Sequence, residues 1–207
     1  MIKNHFTHES YEIVNREIMY QGVFRLCRYQ LRYQLFQGGW SDTVTREILE
    51  RLSAAAVLPY DPVTDQVVLI EQFRPGAIAH PVSPWLIEIV AGILDSQEAP
   101  DEVAIREAEE EAGCTITTLI PVCDYFVSPG GSNEYLSIYC GRTDTSNIGG
   151  IHGLAVENED IRAFCLSADE AFSRLRSGFI KTAPAIIALQ WLELNRVFLR
   201  ELWLNEN

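Results

Sequence analysis

The sequence predicts an α/β (α+β) fold, and three observations lead to that prediction. Short apolar segments with strand character recur between residues 54 and 167, separated by turn residues. An acidic segment with helical spacing, residues 100–112, interrupts them; Pro100 suits its first turn and Gly113 is a natural C-terminal stop. Two further helical segments, at about 167–176 and 184–195, close the chain. Strands and helices mixed in this order indicate a layered fold in which helices cover a sheet.

The first fifty residues predict a small antiparallel sheet. Apolar and polar residues alternate in YEIVNREIMYQ, VFRLCRYQLRYQLF and TVTREILERL, and Gly22 and Gly38-Gly39 mark turns between them. We therefore expect an N-terminal β extension over residues 1–51 and a larger domain over residues 52–207. A sheet this small is marginal alone and exposes apolar residues, so we expect it to form a homodimer contact.

The larger domain begins with two apolar strands, 54–60 and 66–73, joined by a turn at 61–65. WLIEIVAGIL, residues 85–94, is apolar and leads into the acidic helix. Further strand candidates lie at 116–127, 134–142 and 161–167. Lys181-Thr182-Ala183-Pro184 marks the start of the last helix, because proline suits a first helical turn.

Composition limits the classes of function. The net charge of −13 argues against nucleic acid and anionic membranes as partners, because no cationic surplus contacts phosphates. No uncharged run approaches the roughly 18 residues of a membrane span, and the N-terminus lacks an apolar signal core. Five widely spaced cysteines suit reduced thiols better than a disulfide framework. We therefore expect a cytoplasmic protein.

The acidic helix carries the strongest chemical pattern. Glu107, Glu110 and Glu111 are spaced i, i+3 and i+4, which places them within an arc of roughly 100° on one face. Like charges at this spacing repel by a few tenths of a kcal/mol per pair unless a cation neutralises them. Mg²⁺ binds through a few carboxylates, water and substrate phosphate. The pattern predicts a metal face completed by a phosphate-bearing ligand; the alternative is a solvated acidic face.

The segment around these glutamates resembles the Nudix box, a motif of hydrolases that act on nucleoside diphosphates linked to another moiety. Gly92, Glu98 and the run Arg106-Glu107-Ala108-Glu109-Glu110-Glu111-Ala112-Gly113 match its spacing. Cys114 departs mildly from the larger aliphatic residue that is usual at its position. The resemblance implies the Nudix α/β/α sandwich over roughly residues 52–200, with the small N-terminal sheet as an addition.

The resemblance also implies roles within the box. The cofactor would be Mg²⁺ or Mn²⁺, and the implied ligands are Glu107, Glu111 and the carbonyl of Ala91. Glu110 matches a supporting carboxylate. Arg106 matches the residue that pairs with the equivalent of Glu98 and orients the glutamates.

The general base of the resembling enzymes comes from outside the box. In the segment AVENED, Glu157 matches the base and Glu159 matches either a base or a metal ligand. An exposed acidic loop is the alternative interpretation of this segment.

Three features resemble the ADP-ribose pyrophosphatases within the family. Pro129 stands fifteen residues after the box, the N-terminal extension matches one used for dimerisation and pocket completion, and residues 152–161 match a mobile loop. One guanidinium can bind diphosphate or ribose oxygens through two hydrogen bonds. Each arginine could instead be a surface charge, and Phe24 could instead belong to the core. The positions that match substrate contacts are Val23, Phe24, Arg46, Glu47, Arg51, Arg74, Ile93, Ser128, Pro129, Gly130 and Glu134.

The resemblance implies a divalent-metal-dependent enzyme that hydrolyses ADP-ribose, a small nucleotide-sugar, to AMP and ribose 5-phosphate. Two alternatives remain open at this point. One is a hydrolase of another nucleoside diphosphate sugar, such as GDP-mannose. The other is a non-catalytic module that senses ADP-ribose, which the complete glutamate set disfavours.

Overall fold

A computed structural model describes residues 6–94 and 97–205. Two compact units divide the chain: an N-terminal unit, Met1–Ser53 with Phe126–Tyr135, and a main unit, Ala54–Tyr125 with Leu136–Asn207. In the described ranges, no helix is long and apolar enough to cross a membrane.

The N-terminal unit is a three-stranded antiparallel sheet, as predicted. Its strands, in the order β1-β2-β3, are β1 (Tyr11–Gln21), β2 (Arg25–Tyr33) and β3 (Val44–Glu50). Every residue of the edge strand β1 is exposed. The loop 126–135 lies beside β3, where the Leu49 N–H donates to the Gly131 carbonyl at 2.8 Å.

One largely buried carboxylate links the three strands of this sheet. Glu50 on β3 accepts from the Arg16 guanidinium on β1 at 2.6 Å and from the Tyr29 hydroxyl on β2 at 2.5 Å. These two hydrogen bonds, with that from Arg16 the stronger, lower the pKa of Glu50 to about 2. No local sequence pattern singles out this group, because its members are far apart along the chain and meet only through strand register.

The main unit is built on one mixed sheet of eight strands. They are β4 (Ala54–Asp61), β5 (Gln66–Phe73), β6 (Trp85–Glu88), β7 (Val90–Ile93), β8 (Thr118–Phe126), β9 (Tyr135–Arg142), β10 (Gly150–His152) and β11 (Ile161–Ser167). The order is β10-β11-β5-β4-β9-β8, with β6 beside β5 and β7 beside β4.

Strands β4 and β5 separate after a short paired stretch, and this separation makes room for β7, which contains Gly92. The two strands pair at Tyr60 and Asp61, but from Val57 back to Ala54 strand β4 pairs with β7 instead. Strand β6 pairs with β5 in the same way. The apolar segment 85–94 therefore contains two short strands, β6 and β7, and both lie within the sheet.

Helices cover both faces of this sheet. They are α1 (Pro100–Ala112), α2 (Ala168–Arg176) and α3 (Ala183–Leu204). Side chains of β4 point alternately to the two faces of the sheet. Ala55 belongs to a buried cluster with residues of α1, and Leu58 belongs to a second buried cluster with residues of α2 and α3. This arrangement confirms the predicted α/β/α sandwich.

The last helix is longer than the sequence predicted. We expected it to end near residue 195, but α3 continues to Leu204. Leu199 and Trp203 are completely buried beyond the expected end, so their burial favours the additional turns. Asn195, a poor helix former, is accommodated because its side-chain amide donates to the Trp191 carbonyl at 2.8 Å.

Candidate active site

A cavity of about 360 Å³ lies in the main unit between α1, β7 and the loop that follows β10. Eight of the predicted site residues line it: Arg74, Ala91, Ile93, Arg106, Glu107, Glu110, Glu111 and Glu159. Gly92 and Leu154 complete the lining. The Nudix-box resemblance pointed to Gly92. No sequence pattern pointed to Leu154, which is a single apolar residue in a polar loop.

Glu111 is the most deeply buried carboxylate of the cavity, with 3% of its surface exposed. Its Oε2 accepts a hydrogen bond from the Ala91 N–H at 3.1 Å, which fixes the side chain against β7. Burial, together with the nearby charges of Glu107 and Glu159, raises the pKa of Glu111 to about 8. This carboxylate is therefore held where its negative charge is unfavourable without a cation.

Glu107 lies directly over Gly92. A Cβ added to Gly92 would be 1.9 Å from Oε1 of Glu107, so the approach requires a residue without a side chain. Burial raises the pKa of Glu107, and the charges of Glu110 and Glu159 raise it further, while Arg106 opposes the shift. The close approach of Glu107 to Gly92 places the acidic face of α1 against strand β7.

Arg106 organises three carboxylates along one side of the cavity. Its Nε and Nη2 donate to the two carboxylate oxygens of Glu98, at 3.0 and 3.2 Å. Its Nη1 donates to Glu107 at 2.9 Å and to Glu110 at 3.0 Å. A planar guanidinium suits such paired contacts, and it restricts the rotamers of all three glutamates.

The loop between β10 and β11 brings Glu159 to the same cavity. Oε2 of Glu159 accepts from the Leu154 N–H at 3.1 Å, and its charge contributes to the raised pKa values of Glu107 and Glu111. Glu157 belongs to a single 3₁₀ turn, Ala155–Glu157, and its side chain lies outside the described part of the structure.

Arg74 supplies positive charge at the cavity. Its Nε donates to Glu88 Oε2 at 2.7 Å, and Glu88 is largely buried, so the guanidinium is anchored from one side. The charge of Arg74 partly offsets the raised pKa of Glu111. An anchored guanidinium at the edge of an acidic cavity is suited to bind an anionic ligand group.

The donor set fits a hard divalent cation. Glu107, Glu111 and Glu159 are carboxylates close enough to influence one another's ionisation, and the ion would relieve their repulsion. Over residues 6–94 and 97–205, no three acidic, histidine or cysteine side chains form a group that could hold a metal ion by themselves. Mg²⁺ does not require such a group, because it retains waters and takes further ligands from substrate phosphates.

Three predicted substrate residues meet in the N-terminal unit. The Arg51 guanidinium lies 4.7 Å from the centre of the Phe24 ring, and its Nη1 donates to Glu134 Oε2 at 2.9 Å. The Arg51 N–H donates to the Asn133 side chain at 2.7 Å. Among the described residues, Nε of Arg51 has no hydrogen-bond partner although it is buried. The ring and the guanidinium form a cation–π pair.

The other predicted substrate residues of this unit do not converge on that pair. Val23 is 95% exposed. Arg46 is exposed on β3 and donates to the Thr45 carbonyl, and Glu47 accepts from Arg28 at 3.2 Å. Ser128, Pro129 and Gly130 form an exposed turn in which the Ser128 carbonyl accepts from the N–H groups of residues 131 and 132.

A three-layer α/β fold with a carboxylate-rich helix face and an adjacent guanidinium is suited to the hydrolysis of phosphate-containing substrates. The family model for the NUDIX domain matches residues 50–201, and the chain belongs to the NUDIX family.

Curated relatives and one solved structure are similar over most of the chain. An ADP-ribose pyrophosphatase of Haemophilus influenzae is 43% identical, over 96% of this chain and 93% of its own length. One of Escherichia coli K12 is 47% identical, over 93% and 92%. A GDP-mannose pyrophosphatase of Cronobacter sakazakii is 35% identical, over 73% and 79%. The crystal structure of an ADP compounds hydrolase shares the fold, with a TM-score of 0.71, 18% identity and coverage of 94% and 99%.

Proposed function

We propose that this protein hydrolyses the diphosphate bond of ADP-ribose to give AMP and ribose 5-phosphate in the presence of a divalent cation. The observation that carries the proposal is the grouping of Glu107, Glu111 and Glu159 with Arg74 around one cavity. Buried carboxylates that repel one another attract a cation, and a cation beside an arginine attracts a diphosphate.

The relatives support ADP-ribose over other nucleotide sugars. The two ADP-ribose pyrophosphatases match more than nine-tenths of the chain at 43% and 47% identity. The GDP-mannose pyrophosphatase matches a smaller part at 35% identity. GDP-mannose is therefore the second candidate substrate. The complete carboxylate set disfavours a module that only senses ADP-ribose.

We assign the cation as Mg²⁺ or Mn²⁺, held by Glu107, Glu111 and the Ala91 carbonyl, with Glu159 as a further ligand or a base. When bound, such an ion neutralises diphosphate charge and lowers the pKa of a coordinated water. Arg74 binds a phosphate oxygen, and Arg106 keeps Glu107 and Glu110 oriented. Glu157 accepts the proton of the attacking water in this proposal.

The N-terminal unit is proposed to bind the nucleoside and to form a homodimer. The Phe24–Arg51 stack offers an aromatic and cationic surface suited to a purine ring, with Glu134 holding the arginine. Strand β1 exposes all eleven of its residues, including Ile13 and Ile18, along a sheet edge. An exposed edge strand of this length offers unpaired backbone groups for pairing with another chain.

A nucleotide-sugar panel tests the activity. The purified protein is assayed with ADP-ribose, GDP-mannose, UDP-glucose and ATP, each with Mg²⁺, with Mn²⁺ and with EDTA. We expect the highest kcat/KM for ADP-ribose and no turnover in EDTA. Equal or faster turnover of GDP-mannose would favour the second candidate. Binding of ADP-ribose without turnover of any substrate would favour the sensing module.

Light scattering tests the dimer. A homodimer has twice the 23.4 kDa mass of one chain. A monomer at micromolar concentration would contradict both the dimer and a shared nucleoside site.

We also propose a cytoplasmic location, supported by five cysteines that are all free thiols.

A further inference from the structure

A short strand attaches the loop that carries Glu159 to helix α1. Strand β10, Gly150–His152, pairs with β11 and immediately precedes this loop. Glycines with positive φ lie on both sides of the His152 position: φ is 109° at Gly150 and 100° at Gly153. The chain thus enters and leaves the strand through conformations that favour glycine, which fixes the direction in which the loop departs.

The His152 imidazole packs beside the end of α1. Gly113 ends this helix in the left-handed region, and a Cβ added there would lie 3.0 Å from Cε1 of His152. Nε2 of the ring lies 3.2 Å from the Gly149 carbonyl oxygen, which restricts its rotation. Because Gly113 follows Glu111 by two residues, the ring occupies space next to the turn that presents the buried carboxylate.

Gly153 makes the second attachment. Its N–H donates to the carbonyl of Glu110 at 3.3 Å, so the loop begins bonded to the acidic turn of α1. A Cβ added to Gly153 would be 2.6 Å from Cβ of Glu159, which therefore lies directly against it. Leu154 closes the loop, because its N–H donates to the Glu159 carboxylate and its carbonyl accepts from the Glu159 N–H at 3.3 Å.

We propose that His152 and Gly153 are positioning residues, which hold the Glu159 loop at a fixed place relative to Glu107 and Glu111. The assignment rests on the proposed hydrolase function. The two residues act through the loop and through α1, and they need no contact with the substrate. A displacement of about 1 Å at a reacting group can lower a rate by about 10²-fold, so a small change in this attachment reaches the chemistry.

Two matched pairs of variants test the proposal. Gly153→Ala is compared with Gly150→Ala, since both glycines have similar positive φ but a Cβ at residue 150 meets only the His152 ring, at 3.9 Å. His152→Ala is compared with Ile151→Ala, because Ile151 is 67% exposed and points to the opposite side of the same strand. Each protein is assayed for kcat and KM with ADP-ribose and for amide hydrogen exchange over residues 153–160.

We expect Gly153→Ala to lower kcat by about 100-fold and His152→Ala by about tenfold, with KM changed by less than about threefold in both. Both should also speed exchange over residues 153–160. Ile151→Ala should stay close to wild type, and Gly150→Ala, which carries similar backbone strain without the contact with Glu159, should lose much less activity than Gly153→Ala. Equal losses in each pair would show only general strand damage and overturn the proposal. Wild-type kcat and exchange in His152→Ala and Gly153→Ala would overturn it as well.

The exchange measurement separates this inference from the proposed function. If the wild-type protein does not hydrolyse ADP-ribose, the proposed function fails. The attachment is then decided by exchange alone: faster exchange confined to His152→Ala and Gly153→Ala supports it, and no difference within the pairs overturns it.

Discussion

Gly92 and Glu107 approach so closely that any side chain at residue 92 would overlap the carboxylate. A Cβ there would lie 1.9 Å from Oε1 and 2.1 Å from Cδ of Glu107. Gly92 is paired with Ala55 inside the sheet, so β7 cannot move away without breaking its ladder with β4. The acidic face of α1 is thus set against the sheet by the absence of one side chain.

Gly92→Ala should therefore displace Glu107. We expect kcat/KM for ADP-ribose to fall by about 10²-fold, because the carboxylate moves by an ångström or more. The fold should remain, because the change removes no helix or strand. Circular dichroism measures whether the secondary structure is retained. Gly76→Ala is the control, because a Cβ added at Gly76 would meet no described heavy atom within 4 Å. Wild-type kinetics in Gly92→Ala would show that Glu107 has no fixed position in catalysis.

Substitutions on α1 should separate the two sides of the helix. Glu107→Gln and Glu111→Gln should each weaken Mg²⁺ binding by at least about tenfold and lower activity. Glu109→Gln should do little, because Glu109 is exposed and its carboxylate accepts a hydrogen bond from the Thr115 hydroxyl, at 3.4 Å. Isothermal titration with Mg²⁺ measures the difference. Equal damage from Glu109→Gln would contradict the assignment of the metal face.

Thermal unfolding gives an independent measure of the same site. Glu111→Gln removes a buried carboxylate whose pKa is raised, so at pH 8 in EDTA the variant should be more stable than wild type. Saturating Mg²⁺ should raise the melting temperature of wild type by several degrees and that of the variant by much less. A variant that is less stable in EDTA and still stabilised by Mg²⁺ would show that Glu111 has a structural role instead.

The sequence was most informative where local chemistry decides the structure. Pro100 and Gly113 predicted both ends of α1, because proline suits a first turn and glycine adopts the left-handed conformation that ends a helix. The glutamate spacing predicted one acidic face, and the structure brings Glu107, Glu110 and Glu111 to one cavity. These features depend on residues within a few turns of each other.

Features that depend on pairing between distant strands were not predictable in the same way. The division of residues 85–93 into β6 and β7 follows from the separation of β4 and β5, which no local pattern indicates. Strand β10 was not predicted, because GIH is too short to show alternation. The Arg16–Glu50 pair was likewise not predicted, since it needs the register of all three N-terminal strands.

The low pKa of Glu50 predicts a pH-dependent stability of the N-terminal sheet. The carboxyl has a pKa of about 2 in the fold and an ordinary value of 4.5, so the folded state binds fewer protons between these values. Its stabilising contribution is complete above about pH 4.5 and is lost as the pH falls towards 2. Glu50→Gln should therefore lower the free energy of unfolding at pH 7 and make less difference at pH 3.

Urea unfolding at pH 7, 4 and 3 measures this contribution. Glu12→Gln is the control, because Glu12 pairs with Arg32 on the same sheet but is about half exposed. An exposed pair of this kind contributes roughly 0–1 kcal/mol. If Glu50→Gln and Glu12→Gln destabilise equally at pH 7, the network around Glu50 does not hold the strands together.

The choice between Glu157 and Glu159 as general base can be made from kinetics. A general base typically contributes 10²–10⁴-fold, and glutamine preserves its size without accepting a proton. Glu157→Gln should lower kcat by about two to three orders of magnitude while ADP-ribose still binds.

Glu159 accepts from the Leu154 N–H and influences the ionisation of Glu107 and Glu111, which favours a place among the metal ligands. Glu159→Gln should therefore shift the Mg²⁺ dependence, and excess Mg²⁺ should partly restore its activity. Near wild-type kcat in Glu157→Gln, together with a loss in Glu159→Gln that Mg²⁺ does not restore, would assign the base to Glu159. Small effects from both variants would direct the search to Glu110, which lines the same cavity, or to Glu134.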